Sequence, residues 1–171
     1  MASIPSVNRL EITSDTILLD TKDKEIIVIL LSGEFKVKQN YFYRKNVFDA
    51  EPQGFFVSND GKHKIIVEKY AEFCIISNKS NLSAVALSPL SAAFIRDSIP
   101  LTVINSVNVV VKQAGEGNFS RKVKTIVQHD SGLKNLIVGE TNKTPGNWSS
   151  WPPHKHDSYE PDKESKQKEI Y

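Results

Sequence analysis

The run Glu25-Ile26-Ile27-Val28-Ile29-Leu30-Leu31 constrains the fold more than any other stretch of this sequence. It is apolar at consecutive positions, rich in β-branched residues and closed by Ser32-Gly33, which together read as a β-strand. Strand signals repeat on either side of it. Arg9-Leu10-Glu11-Ile12 alternates, Thr16 to Asp20 is short and apolar, and Thr21-Lys22-Asp23-Lys24 reads as a turn. Glu34-Phe35-Lys36-Val37-Lys38 alternates cleanly, and Ser58-Asn59-Asp60-Gly61 is a hairpin-type turn leading into a strand over residues 64–68. Residues 71–77 form another strand with an apolar centre, and residues 101–111 read as one β-branched strand ending in Val109-Val110-Val111.

Helical periodicity is weak. Only residues 89–97 offer a short helix, over Leu90, Ala93 and Phe94. Many short strands separated by turns argue for an all-β sandwich or barrel, and residues 8–112 are enough for one such domain. Residues 113–120, with Gly115 and Gly117, break the pattern and read as a linker. Strands follow over 121–127 and 133–138, and residues 121–171 are assigned to a second domain. The polar stretch 157–168 reads as a loop or a disordered end.

Composition narrows the function classes. A net charge of +2, with no basic cluster interleaved with aromatics, gives no case for nucleic acid or an anionic membrane surface. The longest apolar run is far too short to cross a bilayer as a helix. Met1-Ala2-Ser3-Ile4-Pro5 lacks the basic start and apolar core of a signal peptide, so a cytoplasmic protein is expected. The single cysteine, Cys74, sits in the apolar run Phe73-Cys74-Ile75-Ile76 and reads as an inert core thiol.

Chemistry concentrates in Gly146-Asn147-Trp148-Ser149-Ser150-Trp151-Pro152-Pro153-His154-Lys155-His156-Asp157. On a strand, residues two apart project to one face, so His154 and His156 can aim both imidazoles at one ion. A strand carrying Glu169 would add a carboxylate, giving a nitrogen-nitrogen-oxygen set suited to a divalent transition metal. A solvated His-x-His loop is the plain alternative. Pro152-Pro153 stiffens the approach, and both tryptophans of the chain flank Ser149-Ser150, as in a pocket wall.

This stretch, with Glu169-Ile170-Tyr171 after it, closely resembles the signature of the 5-deoxyglucuronate isomerases of inositol catabolism. These are bicupins, grouped with the 5-keto-4-deoxyuronate isomerases of pectin breakdown. Two further segments carry the resemblance: Gly117-Asn118-Phe119-Ser120-Arg121-Lys122-Val123 is similar to the strand opening the family's second cupin, and Arg44-Lys45-Asn46-Val47-Phe48-Asp49 to an element of its first. The resemblance implies a cupin (jelly-roll) β-sandwich followed by an incomplete second cupin, which holds the metal (zinc, manganese or iron). By the same resemblance His154, His156 and Glu169 are its ligands, while the family's fourth ligand, a later histidine, has no counterpart before Tyr171. A chain of this kind is expected to be poorly active.

The implied reaction is an aldose–ketose isomerisation of a deoxy uronic acid, a small sugar-acid substrate. Arg121 offers a planar fork for the substrate carboxylate, against the alternative of a structural ion pair. Glu140 and Asp157 are the candidates for general base by nearness to the motif, and Trp148 and Trp151 could stack on the sugar or pack in a core. No motif suggests a nucleotide, flavin or pyridoxal cofactor. Unfinished cupin sheets have edges to cover, which favours a homo-oligomer. The competing readings are a non-catalytic cupin-like binding or oligomerisation module and a different metal-dependent cupin enzyme such as a dioxygenase.

Overall fold

The computed structural model describes residues 5–79, 99–133, 135–149 and 170. The expected short helix over residues 89–97 lies outside them. All the regular elements described are strands apart from two single-turn 3-10 segments: β1 (Ser6–Asp20), β2 (Lys24–Val37), β3 (Asn40–Arg44), β4 (Gln53–Ser58), β5 (Lys62–Lys79), β6 (Ile99–Ile104), β7 (Val110–Ala114), β8 (Arg121–Val127) and β9 (Val138–Lys143). The chain divides into two compact units, Met1–Val109 with Ile126–Val138 and Val110–Thr125 with Gly139–Tyr171.

The first unit is built on a sheet ordered β1-β5-β2-β4-β6, with β3 paired to β2. Every pair of known register in it is antiparallel. Its organisation follows from the apolar run of β2. Ile26, Val28 and Leu30 enter one buried cluster, with Phe35, Phe55, Phe73 and Val67. Ile27 and Ile29 enter another, with Phe56, Ile104, Ile126 and Leu133. Consecutive residues of a strand face opposite sides, so a continuous apolar run has to be covered on both. That requirement puts β2 inside the sheet. The Phe35 and Phe42 rings, paired across β2 and β3, stack with centroids 4.6 Å apart, and Phe73 meets Phe35 edge-on at 5.2 Å.

Three pairs of expected strands merge, 9–12 with 16–20 in β1, 25–31 with 34–38 in β2 and 64–68 with 71–77 in β5, and one expected strand divides. Residues 64–68 and 71–77 belong to the single strand β5, whose inward side chains (His63, Ile65, Val67, Ala71, Phe73, Ile75) keep one parity from end to end. The Ser58–Gly61 turn is present, but it does not close a hairpin, because β4 pairs with β2 and β6 while β5 pairs with β1 and β2. The doubly buried β2 takes the place between them. The expected strand over 101–111 is cut into β6 and β7 by a turn at 105–108. There the Asn108 Oδ1 accepts the Asn105 N–H at 2.9 Å, and the Asn105 Oδ1 accepts the Val107 N–H at 3.0 Å. Asparagine side chains offer the backbone these local partners in place of a ladder, and that outweighs β-branched propensity. The expected strand over 133–138 is instead a non-strand segment that buries Leu133 and Leu136, and β9 begins where it was to end.

A corner bends the long strands. Pairing shifts register in β1 between Thr13 and Asp15 and in β2 around Ser32 to Lys36. Gly33 lies at that corner with φ +96°, and a Cβ there would fall 2.2 Å from the Tyr70 carbonyl oxygen. The ends of the strands are tied by interlocked turns: Thr21 donates from its N–H and its hydroxyl to the Gly61 carbonyl at 2.9 and 2.8 Å, and its hydroxyl accepts the Asp60 N–H at 3.2 Å.

Arg44, the first residue of the 44–49 segment, is fully buried and donates to the Leu30 and Ala50 carbonyls at 2.9 and 3.1 Å. Cys74 is half-buried against the second cluster. His63 is 1% exposed, and neither ring nitrogen makes a hydrogen bond among the described residues. Its Nε2 lies 3.4 Å from the Asp60 Oδ2, a charge contact without hydrogen-bond geometry. Burial, aided by Lys38 and opposed by Asp60, holds the imidazole below its ordinary pKa.

Two outcomes follow. Gly33→Ala adds a backbone clash to the strain of a positive φ and is expected to cost about 3 kcal/mol or more, whereas Gly61→Ala, with open space around its Cβ, costs only about 1 kcal/mol of strain. Urea titrations of the two variants measure the difference. For His63, the folded state binds its proton less readily than the unfolded state, whose pKa is near 6.5. Its contribution is therefore present above about pH 6.5 and is lost as pH falls through that value towards the lower folded pKa. The urea midpoint should drop between about pH 7.5 and 5.5 by more in the wild type than in His63→Leu.

Candidate functional site

The second unit carries the residues of interest. Its sheet is ordered β7-β8-β9, and β7 pairs antiparallel with β8 from Val110↔Thr125 to Ala114↔Arg121. Gln113 and Ala114 thus end a strand, and 115–120 is the connection that turns the chain into β8. A 3-10 turn at Gly117–Phe119 tightens it, with the Phe119 N–H donating to the Glu116 carbonyl at 3.0 Å and the Ser120 N–H to the Gly117 carbonyl at 3.1 Å. Gly115, at φ +71°, lets the chain pass where a Cβ would lie 2.3 Å from the Phe119 carbonyl oxygen and 3.1 Å from an Arg121 guanidinium nitrogen. The loop is therefore shaped around the arginine that follows it.

Arg121 opens β8, half-buried, and its guanidinium donates to the Phe119 carbonyl at 3.1 Å. That contact occupies one of five N–H donors and steers the head group back over the loop. Glu140 lies half-buried on β9, on the strand adjoining β8. The structure thus sets Arg121 and Glu140 on neighbouring strands of one sheet.

The motif segment docks onto this loop. Gly146, at φ +86°, turns the chain, and the Asn147 N–H donates to the Thr144 carbonyl at 3.1 Å. The Trp148 N–H then donates to the Asn118 carbonyl at 2.8 Å, and the Asn147 side-chain amide donates to the Ser120 carbonyl at 3.2 Å. Gln113 donates to the Ser120 hydroxyl at 2.9 Å from the other side. Residues 117–121 and 146–148, separate in sequence, form one hydrogen-bonded junction. The Trp148 side chain is exposed.

His154, His156, Asp157, Glu169 and Trp151 lie outside the described residues. Among the described residues no group of three or more His, Cys, Asp or Glu is placed to hold an ion. Asn118 and Asn147 stand inside the two motifs, but nothing in the sequence marks them or Gln113 as the residues that join the segments. Sequence reasoning also missed Lys124, a buried lysine on β8 at 3% exposure. A basic side chain one residue from an apolar strand end gives no hint of burial by itself.

Comparison with known proteins agrees with this picture. Residues 5–171 match the KduI/IolB family. The chain is similar to the 5-deoxy-glucuronate isomerase of Geobacillus thermodenitrificans, 28% identical over 163 residues, covering 91% of this chain and 54% of the relative. It is 26% identical over 160 residues to the 5-deoxy-glucuronate isomerase of Bacillus subtilis strain 168, covering 89% and 54%. The chain therefore spans about half the length of the curated relatives it matches. Its fold is that of the crystal structure of an IolB-like protein from Salmonella typhimurium, with a TM-score of 0.71 at 22% identity, covering 94% of this chain and 59% of that one. The all-β, cupin-like architecture is as expected from the sequence. No described helix is long and apolar enough to cross a membrane.

Asn147→Ala removes the side-chain bond that pins the motif to Ser120 and should weaken the junction by about 1 kcal/mol. Hydrogen exchange at the Trp148 amide reads it directly, with roughly fivefold faster exchange expected.

Proposed function

Because this chain belongs to the KduI/IolB family, we propose that it serves the aldose–ketose isomerisation of 5-deoxy-glucuronate to 5-dehydro-2-deoxy-gluconate, a step of inositol catabolism. The observation that carries this reading is the junction in which the Trp148 N–H meets the Asn118 carbonyl. It joins the Arg121 loop to the start of the motif that ends in His154 and His156.

The roles follow from donor chemistry. His154, His156 and Glu169 supply two imidazoles and a carboxylate, a set suited to a divalent transition metal such as zinc, manganese or iron. A bound metal of that kind polarises a carbonyl and stabilises negative charge developing on oxygen. Arg121 pairs with the substrate carboxylate through its guanidinium and fixes which end of the sugar acid enters. Glu140, with Asp157 as the other candidate, takes the proton from the carbon beside the carbonyl and, after exchange with solvent, protonates the former carbonyl carbon, while the hydroxyl proton passes to the former carbonyl oxygen. Carbonyl and hydroxyl exchange places, and no electron leaves the substrate. The protein works in the cytoplasm on this reading.

The alternative reading is a cupin-like module that binds or assembles without catalysis; the chain spans about half the length of the curated relatives it matches. Metal content and turnover of the purified chain separate the two. The isomerase reading expects about one metal ion per chain in the wild type, lost in His154→Ala and His156→Ala. It further expects Arg121→Ala to lower kcat/KM for 5-deoxy-glucuronate by roughly 100-fold, chiefly through KM, with metal content unchanged. A folded wild type that neither retains metal nor converts the sugar acid leaves the binding-module reading.

A further inference from the structure

The first sheet treats its two ends differently. At one end β6, described from Ile99 to Ile104, carries Pro100, which removes a backbone donor from the edge. Proline is a common device that keeps an edge strand from pairing with another chain. At the other end β1 runs for 15 residues and pairs only with β5 among the described strands. It contains neither lysine nor proline, and none of its residues is fully buried. Val7, Leu10 and Leu18 are exposed. From Ser6 to Thr13 its register with β5 is unbroken, and the first irregularity comes at Ser14, with φ +47°. A strand edge of this length, unpaired on its outer side among the described residues, is a template for another strand.

Its charges fit a second copy of itself. In an antiparallel ladder, residues directly opposite point their N–H and C=O groups to the same side, so two identical strands meeting by a two-fold axis are centred on a residue. Centred on Leu10, Arg9 lies opposite the partner's Glu11, Val7 opposite the partner's Thr13, and Leu10 opposite the partner's Leu10. This alignment uses the whole unbroken segment and stops at the bulge. It also answers a local imbalance. Glu11 and Glu72 are directly opposite each other across β1 and β5, and Arg9 alone pairs with both, closely with Glu72 and at 3.7 Å with Glu11. Like charges directly opposite are unfavourable, and the partner's Arg9 would supply the second cation.

We propose that β1 is a homodimerisation edge, pairing antiparallel with β1 of a second copy about a two-fold axis at Leu10. The sheet then continues through both copies as β2-β5-β1 and its symmetry mate. This assembly stands on the edge and its charges and does not depend on the catalytic reading.

Native mass spectrometry of the full chain, with circular dichroism to verify folding, tests it. The wild type should be dimeric at micromolar concentration. Arg9→Glu sets acid against acid and Glu11→Arg sets base against base, and each should weaken self-association by roughly tenfold or more. An equimolar mixture of the two variants should form a heterodimer, because each then faces the opposite charge. In a Cys74→Ala background, Leu10→Cys should oxidise to a covalent dimer while Asn8→Cys should not. A monomeric wild type, a dimer indifferent to both charge changes, or a mixture that fails to pair overturns the proposal. So does exchange protection along residues 6–13 in a monomer, which would mean another segment of the same chain covers the edge.

Discussion

The need to cover Ile26 to Leu30 on both faces is the constraint on which the first unit depends. A strand with one apolar face can lie on a surface or an edge; one with two cannot. Burial of these five side chains in two separate clusters obliges β4 and β5 to flank β2, and Ile104, Val109, Ile126, Val127, Leu133 and Leu136 to cover the second face. The corner at Gly33 follows from the same demand, since long strands that stayed straight would leave Phe35, Val37 and Ile65 without the neighbours they share with Phe73 and Ala71. Arg44 is held in place by the backbone carbonyls this bending brings to it, a use of arginine as internal strut rather than surface charge.

The second unit is held differently. Its described part has few deeply buried side chains and relies on backbone and amide hydrogen bonds among Gln113, Asn118, Ser120, Asn147 and Trp148. Hydrogen bonds of this kind fix geometry while adding modest net stability. That suits a place where side chains must be presented to a ligand. The loop of 115–120 owes its shape to glycines at positive φ, and its product is an arginine whose guanidinium is turned back towards its own loop.

Much of this was legible from residues alone. Strand character, the turn at 21–24 and the alternation of Phe35 and Val37 were plain, because period-2 patterning reports burial directly. Pairing was not. Nothing local in Ser58-Asn59-Asp60-Gly61 says that β2 will occupy the place beside β5, since that choice is made by core burial over the whole unit. The division at 105–108 was hidden because asparagine side-chain bonds compete with propensity, and their outcome depends on spacing within the turn. The site was legible in part. Residues 117–121 and 146–148 stood out as motifs, and their docking through Trp148 and Asn147 is a three-dimensional fact that neither motif contains.

On the proposed reading, this junction belongs to an isomerase acting by proton transfer between adjacent carbons. NMR of 5-deoxy-glucuronate incubated in deuterium oxide with the metal-supplied chain tests it most directly. The expected result is conversion to the ketose with solvent deuterium on the carbon that receives the proton. Unchanged sugar acid, with neither product nor deuterium after prolonged incubation with a folded, metal-loaded chain, would contradict it.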